Sequence, residues 1–207
     1  MPLELAELVS PWRTAIVTSE VQNGVIGDQA ALPVLADAAR DMVPHLARLV
    51  KAARVAGVEV IHATFARRPD GKGANHNARL FAGVDKSPVK LLPGSDAVRV
   101  VDEIGVMPTD VVLTRTHGLN PMSGTDLDAV LRNLGVTTLV ATGVSLNVAI
   151  PNLVMEAVNL GYDVVLPRDA VCGVPAEYGE AVIENTLSLL ATVTTVDALV
   201  AAWESES

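Results

Sequence analysis

The chain has 207 residues, 50% of them hydrophobic and 19% charged, with a formal net charge of −9 and a single cysteine, Cys172. That apolar share supplies a substantial single core and excludes a disordered chain, while the acidic balance argues against nucleic acid as a partner. One cysteine excludes an intrachain disulfide and fits a reducing cytoplasm, and no apolar run approaches the ~20 residues that a membrane span needs.

In chain order, Thr14-Ala-Ile-Val-Thr18 reads as a first strand. Residues 37–56 carry apolar side chains at helical spacing (Val43, Leu46, Leu49, Val50, Ala53) and stop at Gly57, which predicts a helix. Residues 58–63 read as a second strand, and 67–77, polar with two glycines, as a loop. The Arg67-Arg68 pair in it reads as a solvated face. Residues 110–114 form a third predicted strand. A helix follows from Thr125, where Thr125-Asp-Leu-Asp128 resembles a capping box, and Gly135 closes it. Residues 137–141 are a fourth strand, 147–160 a helix, 162–166 a fifth strand, 177–190 a helix, 192–195 a sixth strand and 196–203 a last helix.

Strands alternating with helices of this length predict a single domain over 1–207. Its expected fold is α/β, a three-layer α/β/α sandwich around a six-stranded parallel sheet. In such sheets a ligand sits beyond the carboxyl ends of the strands. Three polar features fall there: Glu20 after strand one, Arg115 after strand three, and the 143–149 turn after strand four.

Three stretches carry a family resemblance. Ala15-Ile-Val-Thr-Ser-Glu-Val-Gln-Asn23 looks like an apolar strand followed by D-x-Q-N, with Glu20 in the place of the aspartate. Val111-Val-Leu-Thr-Arg115 looks like V-V-x-x-K, with Arg115, or one residue on Thr116, in the place of the lysine, and Thr125 in the T-x-L that follows. Gly143-Val-Ser-Leu-Asn-Val-Ala-Ile150 looks like G-V-x-x-x-x-C-V, with Ala149 in the place of the cysteine. Asn159 to Leu166 and Arg168-Asp-Ala170 continue the match. Together these resemble the isochorismatase-like cysteine hydrolases, which include nicotinamidases and carbamoylsarcosine amidases, and give the expected fold its Rossmann-like family form.

The resemblance implies a catalytic trio of Glu20, Arg115 and Ala149. In the family the acid deprotonates the cysteine, the lysine supports the ionised pair, and the thiolate attacks an amide carbonyl. Backbone N–H groups at the helix start hold the oxyanion, and a cis peptide follows the turn's glycine, here at Val144–Ser145. The resemblance also implies a substrate cavity lined by Gln22, by His117, Leu119, Asn120 and Met122 in the loop after strand three, and by Val144 and Ser145. Each member of the trio departs from the pattern. Glu20 adds a methylene to the acid. Arg115 keeps the charge but does not give up a proton near neutrality, and its fork suits a bidentate pair with Glu20. Ala149 has no atom that can attack a carbonyl.

The other candidates carry bland readings beside the functional ones. Cys172 lies among Ala and Val and reads as a small hydrophobe. Ser145 reads as a hydrogen-bonding group. His62 fits either a pocket or a satisfied core position, and His45 a surface. The zinc of nicotinamidases needs Asp-x-His…His, and His62 and His76 lack that aspartate and the close spacing, so no metal is expected. No phosphate-binding glycine motif is present, and no cofactor is expected.

Two functions follow. One is a hydrolase without a thiol, for which the isochorismatases of phenazine biosynthesis are the model: there an acid protonates a vinyl ether and water completes the cleavage. The other is a catalytically degenerate homologue that binds a small molecule or serves as an oligomer partner. A small-molecule substrate or ligand, no nucleic acid, no membrane and a homo-oligomer, a dimer or larger, complete the expectation.

Overall fold

The central strands of this protein bury alternate side chains on opposite sides of one sheet. On β1 (Thr14–Ser19), Ile16 faces one apolar cluster while Ala15 and Val17 face the other. The same alternation holds on β2 (Glu59–Phe65), β4 (Thr138–Val144) and β5 (Asp163–Pro167). Strands buried on both faces need helices on both sides, and the chain supplies them. The computed structural model describes residues 4–205, so the first three and last two residues of the expected single domain lie outside the described residues.

The sheet is parallel, with β3 (Val111–Arg115) at one edge and β7 (Thr192–Thr194) at the other, in the order β3-β2-β1-β4-β5-β7. The two-residue β6 (Val171–Cys172) pairs with the far end of β4, making seven strands where six were expected. Helices α1 (Leu5–Leu8), α3 (Pro33–Ala39), α4 (Met42–Ala56) and α9 (Val196–Glu204) lie on one face; α2 (Asn23–Ile26) opens the loop after β1. Helices α6 (Leu127–Asn133), α7 (Ala149–Asn159) and α8 (Ala176–Asn185) lie on the other, and α5 (Arg79–Lys86) belongs to the long β2–β3 connection.

Several expected boundaries move. The predicted helix over 37–56 is two helices, α3 and α4, broken at Arg40–Asp41. Gly57 ends α4 in the left-handed region (φ 78°), as its position implied. The predicted capping box at Thr125–Asp128 does not form. The Thr125 hydroxyl does accept from the Leu127 N–H, but the Asp128 carboxylate turns away to the Tyr162 hydroxyl and to Arg132. The predicted helix 177–190 ends at Asn185 and gives way to a short 3₁₀ turn.

Chain order along the sheet reverses between β1 and β4. From β1 the chain steps outward to β2 and β3, then returns to lay β4 on the other side of β1. Ligands of open α/β sheets bind at such a point, outside the carboxyl ends of the two strands. In register, Ser19 of β1 lies opposite Gly143 of β4. The residues that follow, Glu20 on one side and the 144–149 turn on the other, therefore flank this crevice.

Candidate active site

Glu20 leaves β1 with φ 52°, the only non-glycine residue with positive φ among the described residues. A left-handed glutamate is uncommon and is held by its surroundings. Its N–H donates to the Ala63 carbonyl (2.9 Å) and its carbonyl accepts from Gln22 N–H (2.9 Å). From the end of β3, two strands away, Arg115 reaches back and pairs its Nη2 with Glu20 Oε1. The Arg115 side chain is 7% exposed and that of Glu20 20%. The expected pairing of residues 20 and 115 thus forms, but through one nitrogen and not as a bidentate fork, since the Arg115 Nε has no partner. Arg115 lies over the Phe65 ring, with Cζ 5.0 Å from the centroid.

Beside this pair, β4 runs into the turn that starts α7. Gly143 has φ 95°, and a Cβ there would fall 2.4 Å from the Ser19 carbonyl oxygen, so only glycine lets β4 approach β1 this closely. The Val144–Ser145 peptide is cis, as the resemblance implied. The Ser19 hydroxyl donates to the Val144 carbonyl (2.9 Å). Asn147 grips both backbone groups of Val174, accepting from its N–H at 2.9 Å. The Val148 and Ile150 N–H groups both donate to the Ser145 carbonyl at 3.1 Å. Ala149 opens α7, where a helix leaves N–H groups without intrahelical acceptors. Its methyl is 5% exposed.

The expected substrate-lining residues divide. Ser145 is half-buried, and Val144 is fully buried with its carbonyl held by Ser19. His117 lines a cavity of about 320 Å³ with Arg115, Thr116 and Asp126. Leu119 and Asn120 stay half-buried in the same loop, the Asn120 side chain capping the Met122 N–H. The Gly118 N–H donates to Asn75 Oδ1 (2.9 Å), which ties this loop to the β2–β3 connection. Two expectations are corrected. Met122 is 2% exposed and packs in the core with Leu127 and Leu131, because its loop folds under α6. Gln22 is fully buried and its amide is spent on backbone: Nε2 donates to the Phe65 carbonyl (2.9 Å) and the Val98 carbonyl (3.0 Å), and Oε1 accepts from the Phe65 N–H (2.8 Å). Both read as lining residues because a motif fixes position along the chain, not the direction of a side chain.

Of the other titratable groups, Cys172 stands in register with Val144 of β4, and His45, His62 and His76 pair with groups away from Glu20 and Arg115. His62 is fully buried within the sheet layer. Its Nδ1 lies 2.8 Å from the Thr18 hydroxyl, and its Nε2 3.3 Å from Asp110, which Arg54 pairs in turn at 2.6 Å. Burial holds the His62 imidazole below its ordinary pKa despite the opposing pull of Asp110. Burial pushes the Asp110 carboxyl up, but hydrogen bonds from Arg54, the Met107 N–H and His62 outweigh it and keep it below the usual range. His76 and His45 lie at the surface near Asp85 and Asp169, each pair 3.5 Å apart. Burial raises the Cys172 thiol to about 11, which makes it a poor nucleophile. No cluster of three or more His, Cys, Asp or Glu among the described residues could hold a metal ion. Sequence reasoning missed Phe65, Ser19 and Asn75; Phe65 alone left a signal, as one of only two phenylalanines in the chain.

The family model of the isochorismatase domain matches residues 14–198. A ureidoacrylate amidohydrolase, RutB, of Agrobacterium fabrum is 26% identical over 206 residues, covering 91% of this chain and 89% of its own. An isochorismatase family protein of Burkholderia thailandensis superposes with a TM-score of 0.78 at 30% identity, covering 93% of this chain and 96% of the other. A cysteine hydrolase of Pseudomonas syringae pv. phaseolicola superposes over the full length of both chains with a TM-score of 0.82 at 24% identity.

Proposed function

The chain belongs to the isochorismatase family, whose members are hydrolases, and on that premise we propose that it turns over a small molecule by acid–base chemistry without a thiol. The Glu20–Arg115 pair at the switch point of the sheet carries this reading. On it, Ala149 stands where the family's nucleophile would be, so no covalent thioester forms. Glu20 moves the proton. Arg115 orients the Glu20 carboxylate and balances charge in the crevice, a task its forked, permanently charged group suits. At the start of α7 the Val148 and Ile150 N–H groups are committed to the Ser145 carbonyl and Pro151 has none, so we assign the Ala149 N–H to an oxygen that gains negative charge. For a vinyl ether, the acid would protonate the alkene carbon, water would add to the resulting oxocarbenium carbon, and the hemiketal would collapse to a ketone and an alcohol. His117, Leu119, Asn120 and Ser145 are the side chains we assign to substrate contact. We place the chain in the cytoplasm as a homo-oligomer with no nucleic-acid or membrane partner; among the described residues no helix is long and apolar enough to cross a membrane.

One observation favours a second reading, a small-molecule binder without turnover: Ala149 is only 5% exposed and its side chain carries no reactive atom. A panel of amides, esters and vinyl ethers, with products followed by mass spectrometry and binding by calorimetry, separates the two. Product formed by the wild type supports the hydrolase. Saturable binding across the panel with no product supports the binder and overturns the hydrolase.

A further inference from the structure

Arg115 is held to Glu20 through one nitrogen. Its Nε is buried without a hydrogen-bond partner, so hydrogen bonds alone leave the plane of the guanidinium unfixed. An aromatic face lies against it. Phe65 and Arg115 are register partners on adjacent strands, and the guanidinium carbon sits 5.0 Å from the ring centroid. The chain holds six Trp, Tyr and Phe residues in all, so an aromatic side chain at this position is the exception to how the protein fills space. Phe65 is itself clamped. The Gln22 amide accepts from its N–H and donates to its carbonyl, and reaches the Val98 carbonyl as well. Gln22 stands two residues beyond Glu20 and donates its own N–H to the Glu20 carbonyl. The contacts close a circuit: Glu20 to Gln22 along the chain, Gln22 to the Phe65 backbone, the Phe65 ring to Arg115, and Arg115 back to Glu20.

We propose that Phe65 and Gln22 are positioning residues for the acid–base pair: Gln22 sets the backbone of Phe65, and the Phe65 ring sets the plane in which Arg115 meets Glu20. The proposal rests on the Glu20–Arg115 reading above. The circuit gives Gln22 a task that substrate contact does not, since its amide is already committed to backbone. It also ties the acid and the support of its cation to a single turn, so a shift of the turn carries both together. A displacement of about 1 Å in such a pair is enough to cost catalysis heavily.

The test is nitrogen-15 NMR of the Arg115 side chain in the full-length protein, with no substrate added. The readout is rotation of the guanidinium about its Nε–Cζ bond. In the wild type the rotation is expected to be slow, with the Nη hydrogens resolved separately. Phe65→Leu is expected to speed it about tenfold, as loss of a desolvated cation–π contact would, while the backbone amide spectrum keeps its dispersion. Phe65→Tyr, which keeps the ring, is expected to restore slow rotation. Gln22→Met is expected to accelerate exchange of the Phe65 amide and to loosen Arg115 together with it. Unchanged Arg115 rotation in a folded Phe65→Leu protein overturns the proposal, and so does a Phe65→Tyr protein as loose as Phe65→Leu. Turnover that depends on Glu20, together with an unmoved Arg115 signal, overturns the positioning role and leaves the proposed function standing.

Discussion

On the proposed reading, the methyl group of Ala149 stands where a reacting atom would be. Gly143 lets β4 approach β1, and the chain then turns into α7 at Ala149. Ala149→Cys therefore makes a direct probe of the crevice. A thiol at a helix start ionises readily, whereas burial holds the Cys172 thiol near 11. Iodoacetamide at neutral pH should label residue 149 at least ~100-fold faster than Cys172, given the difference in thiolate fraction. Equal, slow labelling of both would show that residue 149 does not face an open crevice. At this scale the sequence was informative about which residues sit at strand ends, and Glu20 and Arg115 meet as expected. It was silent on where side chains turn. Gln22 points into the backbone and Met122 into the core, because packing of later segments, not local spacing, decides those directions.

The strands and long helices were legible because burial on both faces writes itself as unbroken apolar runs, and amphipathic helices as a 3.6-residue period. The four-residue helices α1 and α2 carry too few turns for a period to show, and β6 exists only because β4 offers it an edge. Strand β4 runs three residues beyond its expected end, since Gly143 reads as a turn residue but serves as the contact point with β1. Gly143→Ala should cost at least ~2 kcal/mol of stability in urea unfolding, as its Cβ would meet backbone and its φ disfavours any side chain; a loss under half of that would mean the β1–β4 seam relaxes. The buried Thr18–His62–Asp110–Arg54 ladder makes a pH prediction. His62 is held below its ordinary pKa when folded, so as pH falls through about 6.5 the unfolded chain binds a proton that the folded chain resists. Stability should therefore fall between pH 7.5 and 5, before the carboxylates titrate, and the slope should flatten in His62→Asn. Unfolding midpoints that stay level over that range in the wild type would contradict the buried, uncharged state of His62.

At the scale of the molecule, one face of edge strand β3 is left uncovered, while Val111 and Leu113 on the other pack against the core. Val112 is 45% exposed, and Val106 and Met107 beside it are about half-exposed. Parallel strands are ordinarily covered on both faces, so an apolar edge of this kind suits the proposed homo-oligomer. Sedimentation equilibrium should return a mass that is a multiple of the 21.6 kDa chain; a single 21.6 kDa species at micromolar concentration would contradict the assembly. The family fold was read from three short stretches and is met in the sheet order, while the reaction remains the part proposed. The ratio of kcat/KM between wild type and Glu20→Gln, on a panel substrate that turns over, tests the acid–base assignment most directly. Glutamine keeps the shape and removes the proton chemistry, so a loss of ~100-fold or more is predicted; a ratio near one would mean that Glu20 moves no proton in the reaction.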